Sequence, residues 1–278
     1  MSVVLLAAGA ACAGALGTYL TKSISLRMPV WQAVAPLFAI NALLVVPLIP
    51  LGGPWFLGNP RVLALHGLSI ALLCASTACI FGLITRGRPS AVAVGQALSP
   101  GILLIAAPLL LGDSVNVAII AGVVLLMFGA LYPLRRSFEG LRSGSTLIIL
   151  MALGSMIGLL TVATAALADL GVGLPETYVV RTAGASLVYF MIVPPRSLRL
   201  ADIPPLAVRS FFVTSSFLLT ILAIQRGSVI TIQSILATMP LLVLLIEWVR
   251  RRQTPEPGVL LGAVVVAIGL SILLRLGT

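Results

Sequence analysis

Ten runs of about 20 mostly apolar residues, separated by short segments of charged, Pro or Gly residues, are the feature that most constrains this chain. Each run is long enough to cross a bilayer as a helix. Only 9% of the residues are charged and 60% are hydrophobic, too few polar residues to cover a soluble fold. We therefore predict an all-α polytopic membrane protein with ten transmembrane helices. The runs cover residues 3–21, 29–50, 62–85, 89–111, 115–134, 145–168, 175–194, 205–225, 228–249 and 257–275.

Positive charges are distributed unevenly over the segments between these runs. Segments after the odd-numbered runs hold 13 Lys and Arg residues, Arg209 included, whereas the opposite side holds Arg61, Arg226 and Arg275. Lys and Arg gather in cytoplasmic loops of membrane proteins. The odd-numbered loops are therefore predicted to be cytoplasmic, with both termini outside. The net charge of +10 is attributed to this bias, and no nucleic acid is expected as a partner.

A shift of the chain by 140 residues superimposes several punctuating residues without a gap. The same order and spacing in both halves indicates an internal duplication. The matched pairs are Gly14 and Gly154, Thr21 and Thr161, Ser76 and Ser216, Arg86-Gly87 and Arg226-Gly227, Ala97 and Ala237, Pro100 and Pro240, Gly122 and Gly262, and Gly129 and Gly269.

The duplication predicts two five-helix repeats, residues 1–138 (the first to fifth helices) and 139–278 (the sixth to tenth). Because five is odd, the second repeat starts on the opposite side of the membrane, and the repeats are inverted around a central cavity. Inverted repeats recur in secondary transporters, whose substrate sites lie at the repeat interface near the midplane. This step from architecture to function is an analogy between folds.

The pattern resembles the drug/metabolite transporter superfamily, in its ten-helix EamA-like branch. The features that carry the resemblance are Arg-Gly before the fourth helix of each repeat, a Pro within that helix, and two Gly residues seven apart in the fifth helix. Gly112-Asp113 resembles the Gly-Glu step of the family. Two features depart from the family pattern: Gln253 at the equivalent place in the second half, and the predicted outside termini.

The resemblance implies a secondary-active transporter, an exporter or exchanger of small organic metabolites such as amino acids, that works by alternating access. A flippase for a lipid or lipid-linked metabolite is the alternative. An enzyme is not expected, because the single histidine, His66, has no Cys or acidic neighbour in the sequence, and no phosphate-binding Gly-Lys-Ser/Thr motif is present.

Arg181 is the clearest candidate for substrate binding, because it falls inside the seventh apolar run. A charged side chain at membrane depth is costly and favours a functional role, here the binding of a carboxylate or phosphate. Snorkelling to the interface or capping of backbone carbonyl groups is the alternative. Asn41, also polar in an apolar run, occupies the equivalent position of the first half. The resemblance adds that family members often have Arg at this place in the seventh helix.

Other polar residues are predicted to line the cavity, with ordinary helix–helix hydrogen bonding or packing as the alternative for each. Four precede the prolines of the fourth and ninth helices, which are expected to bend there. Two match across the repeats, and one shares a helix face with Arg181. They are Gln96, Ser99, Gln233 and Thr238; Ser76 and Ser216; and Tyr178.

Glu176, at the mouth of the seventh helix, is the candidate for ion coupling, since a proton-coupled carrier needs a carboxylate in its pathway. A further set is predicted to be structural: the two prolines bend their helices, and the glycines let helix backbones approach closely. These residues are Pro100, Pro240, Gly122, Gly129, Gly262 and Gly269.

The expected partners are a small-molecule substrate and the lipid bilayer. A monomer is expected to suffice for function, and a dimer is left open. No cofactor and no metal are expected. The expected location is the bacterial cytoplasmic (inner) membrane.

Overall fold

The computed structural model describes residues 2–25, 28–85, 89–132, 144–196, 198–251 and 257–276, and in these ranges it contains helices and no strand. The 3-10 helices Val46–Leu51 and Leu200–Asp202 accompany the α-helices. The α-helices are α1 (Val3–Ser25), α2 (Val30–Val45), α3 (Pro60–Thr85), α4 (Pro89–Ala97), α5 (Ser99–Leu111), α6 (Val117–Leu131), α7 (Gly144–Asp169), α8 (Leu174–Ile192), α9 (Ile203–Ile224), α10 (Val229–Leu236), α11 (Met239–Arg251) and α12 (Pro257–Leu276).

The helices agree with the ten predicted runs, which confirms an all-helical, multi-pass membrane protein. Among the described residues, seven helical segments are long and apolar enough to cross a membrane, and Val117–Leu131 and Leu260–Arg275 are shorter apolar helices. The remaining span, α8, buries a polar face along its length.

The fourth and ninth spans are each interrupted near their proline. Leu98 separates α4 from α5, and residues 237–238 separate α10 from α11. Pro100 and Pro240 then lie in the first turns of α5 and α11, where the missing N–H is an unpaired group of the helix end in any case. The prolines therefore begin new helices, whereas the sequence predicted a bend in one continuous helix.

Helices from the two halves pack against each other in a reciprocal pattern. α1 packs on α9 and α3 packs on α7, while α2 packs on α8 and α6 packs on α12. In terms of the ten spans, these pairs are 1 with 8, 3 with 6, 2 with 7 and 5 with 10. Replacing every span by its counterpart in the other half gives the same four pairs. The predicted boundary at residues 138 and 139, the Arg86-Gly87 motif and Gln253 lie outside the described residues.

The segments after the second and sixth spans meet at one end of the bundle. A Cβ placed on Gly52 would lie 2.7 Å from the Pro175 ring, and Gly173 lies against the carbonyl oxygen of Gly52. Phe56 packs beside Val62, Leu167 and Val172 in a hydrophobic cluster at the same end. The loop over residues 52–59 therefore covers the start of α8.

Arg209 was counted among the loop charges, and this placement was wrong. It lies inside α9, six residues from the first residue of that helix, and its Nε donates a hydrogen bond to Thr21 Oγ1 at 3.1 Å. The hydroxyl of Thr21 gives the guanidinium a partner within the helix bundle, so the side chain need not reach the aqueous phase.

The glycine pairs bring α6 and α12 into backbone contact. A Cβ on Gly129 would lie 2.8 Å from the Gly262 carbonyl oxygen, and a Cβ on Gly269 would lie 2.9 Å from the Gly122 carbonyl oxygen. Both distances are too short for a side chain. The two helices can therefore lie this close only because these positions carry no side chain.

We expect Gly129→Ala to lower the apparent melting temperature of the purified protein, because the new methyl group meets backbone atoms of α12 that cannot rotate away. Gly67→Ala is the matched control, since a Cβ at Gly67 in α3 meets nothing within 4 Å. Helix propensity favours Ala over Gly by about 1 kcal/mol at both positions. A midpoint for Gly129→Ala equal to or above that of Gly67→Ala would contradict the close contact.

Candidate functional site

Helix α8 supplies most of the buried polar groups of the candidate site. Gly173 precedes it in an extended conformation, Pro175 occupies its first turn, and Glu176 places a carboxylate near the positive end of the helix dipole. Arg181 follows about 10 Å farther along the axis from the first residue. The buried residues of this helix include Glu176, Tyr178, Arg181, Thr182 and Tyr189.

The Arg181 guanidinium is buried, and the described part of the chain gives it no counter-ion. The side chain is 2% exposed, and Nη2 donates a 2.7 Å hydrogen bond to Thr164 Oγ1 on α7. Nε is buried and has no hydrogen-bond partner. No carboxylate oxygen of the described residues lies within 4.0 Å of this guanidinium. Arg181 therefore presents an unused donor and an uncompensated charge inside the bundle.

A cavity of about 10 Å³ lies beside this guanidinium, with room for about one water molecule. Asn41 on α2 contributes a buried Oδ1 that also lacks a hydrogen-bond partner. The lining residues are Phe38, Asn41, Leu73, Tyr178, Arg181, Thr182 and Phe217. They belong to α2, α3, α8 and α9, and none of them comes from the fourth or the ninth span. The conformation is closed to a metabolite-sized molecule.

Tyr178 forms one wall of the cavity and is fixed by α9. Its hydroxyl donates a 3.0 Å hydrogen bond to Thr214 Oγ1, and the residue is 1% exposed. Thr182, one turn farther along α8, donates to the Tyr178 carbonyl oxygen at 2.8 Å. Both hydroxyl groups are therefore engaged within the protein while the cavity is closed.

Gln233 and Ser99 meet where the fourth and ninth spans approach each other. Gln233 Nε2 donates to Ser99 Oγ at 2.8 Å, and Thr161 Oγ1 donates to Gln233 Oε1 at 3.2 Å. Ser99 Oγ in turn donates to the Gln96 carbonyl oxygen at 2.7 Å. Gln233 and Ser99 therefore use their polar groups in hydrogen bonds within the protein. Thr161 lies on the same face of α7 as Thr164, the partner of Arg181.

The remaining hydroxyl candidates bind backbone carbonyl oxygens. Ser76 donates to Leu73 at 3.0 Å and Thr238 donates to Ile235 at 2.7 Å, both within or next to their own helices. Ser216 on α9 donates to the Ala10 carbonyl oxygen of α1 at 2.7 Å. The structure does not bring these three residues to the Arg181 cavity.

Glu176 lies at the covered end of α8, next to the only histidine of the chain. The backbone N–H of Phe56 donates to both carboxylate oxygens, at 3.1 and 3.0 Å. His66 Nε2 lies 3.5 Å from Glu176 Oε1, and the two side chains are 1% and 2% exposed. His66 thus has an acidic neighbour from a distant part of the chain, which its surroundings in the sequence did not indicate.

Asp113, in the loop between α5 and α6, is a second partly buried carboxyl group. Burial raises the pKa of Asp113, and the nearby charge of Asp169 raises this pKa further. Its Oδ2 has no hydrogen-bond partner among the described residues. This residue of the Gly112-Asp113 step does not line the Arg181 cavity.

The sequence reasoning did not single out Thr164, Thr214 or His66 as partners of the candidate residues. Thr161 and Thr164, three residues apart in an otherwise apolar helix, carry a detectable signal, because that spacing puts two hydroxyl groups on one face. The His66–Glu176 contact joins two helices that are distant in the sequence, and no local pattern encodes it.

Comparisons with known proteins bear on the family and the fold of this chain. Residues 144–275 match the model of the EamA-like transporter family. Twenty-one chains of solved structures are similar, and one of them, described only as "Crystal structure of protein", has a TM-score of 0.76 at 17% identity over 97% of this chain and 94% of its own. That likeness shows the fold alone. No curated protein matches the chain.

We expect Arg181→Met to raise the apparent melting temperature of the ligand-free protein by about 2–4 °C, the shift that about 1 kcal/mol gives in a chain of this size. The change removes a buried charge without a counter-ion. Thr164 keeps a partner, since its hydroxyl donates to the Leu160 carbonyl oxygen at 2.7 Å. Arg226→Met, at an exposed turn, is the control and should leave the midpoint unchanged. A lower midpoint for Arg181→Met would show that the guanidinium stabilises the closed protein.

Proposed function

We propose that this chain, whose residues 144–275 match the model of the EamA-like transporter family, is a membrane transporter of the drug/metabolite transporter superfamily and a secondary-active carrier of small organic anions and zwitterions such as amino acids. It acts as an exporter or exchanger by alternating access. The observation that carries the substrate class is the Arg181 guanidinium, buried beside a cavity with one N–H unused.

Arg181 and Asn41 suit a substrate that has a carboxylate and a donor group. The guanidinium supplies positive charge and a free Nε–H to a carboxylate oxygen, and the Asn41 Oδ1 accepts a hydrogen bond from an amine or hydroxyl group. Both atoms are buried and find no partner in the ranges that the structure describes, an arrangement that costs free energy until a ligand supplies the missing partners. Phe38, Leu73 and Phe217 provide the apolar remainder of the cavity.

Alternating access requires two conformations of similar free energy. Two inverted copies, residues 1–138 and 139–278, meet this requirement, because exchanging the conformations of the copies converts one opening into the other. The reciprocal packing of α1 on α9 and of α3 on α7 supports this arrangement. The closed cavity corresponds to the occluded stage of the cycle, when the substrate path is shut on both sides.

The charge bias supports a placement in a bacterial cytoplasmic membrane with both termini outside. In that placement the loop over residues 52–59 and the start of α8 face the exterior. Glu176, our candidate for ion coupling, then lies at the outer entrance to the Arg181 cavity, about 7–8 Å along α8 from Arg181. Glu176 is 2% exposed in the closed protein, so proton exchange with the exterior requires the loop over residues 52–59 to move.

The substrate class is tested by thermal unfolding of the detergent-solubilised protein in the presence of the 20 L-amino acids, lactate, acetate, succinate and inorganic phosphate. We expect at least one carboxylate to raise the midpoint, since a ligand present at 100 times its Kd stabilises the folded state by about 2.7 kcal/mol. The corresponding amide should have no effect. Arg181→Gln should abolish the shift, and the exposed Arg226→Gln should retain it.

Two results would contradict the proposal. One is a shift of equal size in wild-type protein and Arg181→Gln, which would place the ligand elsewhere. The other is the absence of any anion-dependent shift, combined with scrambling of fluorescent phospholipid by the reconstituted protein, which would assign the chain to the flippases.

A further inference from the structure

The His66–Glu176 contact is not used by the substrate site described above. Both side chains are buried, and the imidazole Nε2 lies 3.5 Å from the carboxylate Oε1. Neither ring nitrogen of His66 has a hydrogen-bond partner in the described residues. A neutral imidazole carries one N–H and one free lone pair, so this ring is able to give or to accept a proton.

Glu176 also attaches the 52–59 loop to α8. Both carboxylate oxygens accept the Phe56 N–H, and Gly52 and Pro175 are in contact immediately beside this bond. A hydrogen bond to an ionised acceptor is roughly twice as strong as one between neutral groups. The helix dipole also favours the negative charge of Glu176 in the first turn of α8. A charged Glu176 carboxylate would therefore hold the loop in its closed position more strongly than a neutral carboxyl group.

We propose that His66 and Glu176 form the proton-binding pair of this carrier, and that a proton bound to Glu176 releases the loop over residues 52–59 from α8. This inference rests on the proposed transport function and adds His66 as a coupling residue. The proton moves from His66 Nε2 to Glu176 Oε1, so that the N–H bond breaks, an O–H bond forms, and imidazolium and carboxylate become two neutral groups. No other reactant is needed.

The charged surroundings of the pair are sparse. Arg181 lies five residues farther along α8 and acts on His66 through its positive charge. Asp169 ends α7, Arg61 begins α3, and Arg209 lies toward the other end of α9. Helices α2 and α4 and residues 46–59 contain no ionisable side chain, and the other titratable groups of α3 and α8 are Cys74, Cys79, Tyr178 and Tyr189.

Ser69 supports a path for the proton along α3. It lies three residues after His66 on the same helix face, it is fully buried, and its hydroxyl has no hydrogen-bond partner in the described residues. A hydroxyl group that lacks a partner in the closed state is able to accept from, or donate to, the imidazole when the loop moves.

The test needs no substrate, because the chain contains one histidine and a tryptophan next to Phe56. Full-length protein in lipid nanodiscs is labelled with 15N-histidine, which gives a single imidazole to follow by NMR as pH is varied. The fluorescence of Trp55, 39% exposed, reports the loop in a Trp31→Phe, Trp248→Phe background. We expect the imidazole and Trp55 signals to change together, with one shared midpoint.

Variants of Glu176 and of His66 test the contribution of each member of the pair separately. Glu176→Gln should abolish the pH-dependent change of Trp55 fluorescence, because a neutral amide cannot alternate between two charge states. His66→Asn keeps the carboxylate and should move the Trp55 midpoint. Asp169→Asn, an acidic residue at the same end of the bundle, is the control and should leave both signals as in the wild type.

A Trp55 signal that does not change with pH, or a His66 titration unconnected to Trp55, would overturn the coupling pair. An unchanged Trp55 midpoint in His66→Asn would also overturn it, and this comparison decides the matter if Glu176→Gln does not fold. The anion-dependent thermal shift is measured separately. Failure of the proton pair and failure of the proposed substrate site are therefore distinguishable.

Discussion

Transport as proposed depends on the Arg181 guanidinium, which membrane helices enclose and which has no carboxylate oxygen within 4.0 Å among the described residues. Placing Arg at the centre of a membrane helix costs about 2.5–3.5 kcal/mol on insertion scales. In this chain the cost is only partly offset, because Thr164 supplies one neutral hydrogen bond and Nε is left without a partner. A carboxylate ligand would provide both the missing charge and the missing acceptor. The closed protein is therefore less stable than it would be with an apolar residue at this position.

The cavity beside Arg181 is far too small for a metabolite, so transport requires the surrounding helices to separate. The contacts on either side of the cavity differ in kind. At the covered end of α8, a loop is attached through one carboxylate and a few small residues. Between α6 and α12, glycine positions allow backbone contact that excludes side chains. In our proposal the loop contact is reversible, because a single proton changes the charge of its acceptor. The glycine contact between α6 and α12 does not depend on a charged group, so in our proposal it stays closed throughout the transport cycle.

The sequence predicted the helices well, because lipid requires each span to satisfy its own backbone hydrogen bonds. That requirement is local, and it is readable as a run of apolar residues ended by Pro, Gly or charge. The sequence predicted that the fourth and ninth spans deviate from a straight helix near Leu98 and residues 237–238. It predicted a bend there, whereas the structure has an interruption. Proline removes one hydrogen-bond donor, and whether the helix bends or restarts depends on neighbours that the local sequence does not specify.

The candidate site was predictable only in part. Arg181, Asn41 and Tyr178 stand out as polar residues in apolar runs, and they do line one cavity. Gln233 and Ser99 stand out equally, yet they bind each other, because their separation across two spans allows a direct hydrogen bond. Whether a buried amide faces a cavity or another amide depends on packing between helices. His66 was passed over for the same reason, since Glu176 reaches it only in the folded chain.

The most direct test is to measure whether the transient current that a carboxylate substrate produces depends on Arg181. Proteoliposomes adsorbed on a solid-supported membrane would receive concentration jumps of the carboxylates that stabilise the protein, compared with jumps of the matching amides. If Arg181 binds the carboxylate, wild-type protein gives a transient current with at least one carboxylate and none with its amide. Arg181→Gln then loses at least about tenfold, corresponding to about 1.4 kcal/mol or more of binding free energy. Equal currents from the wild type and Arg181→Gln would contradict binding by Arg181.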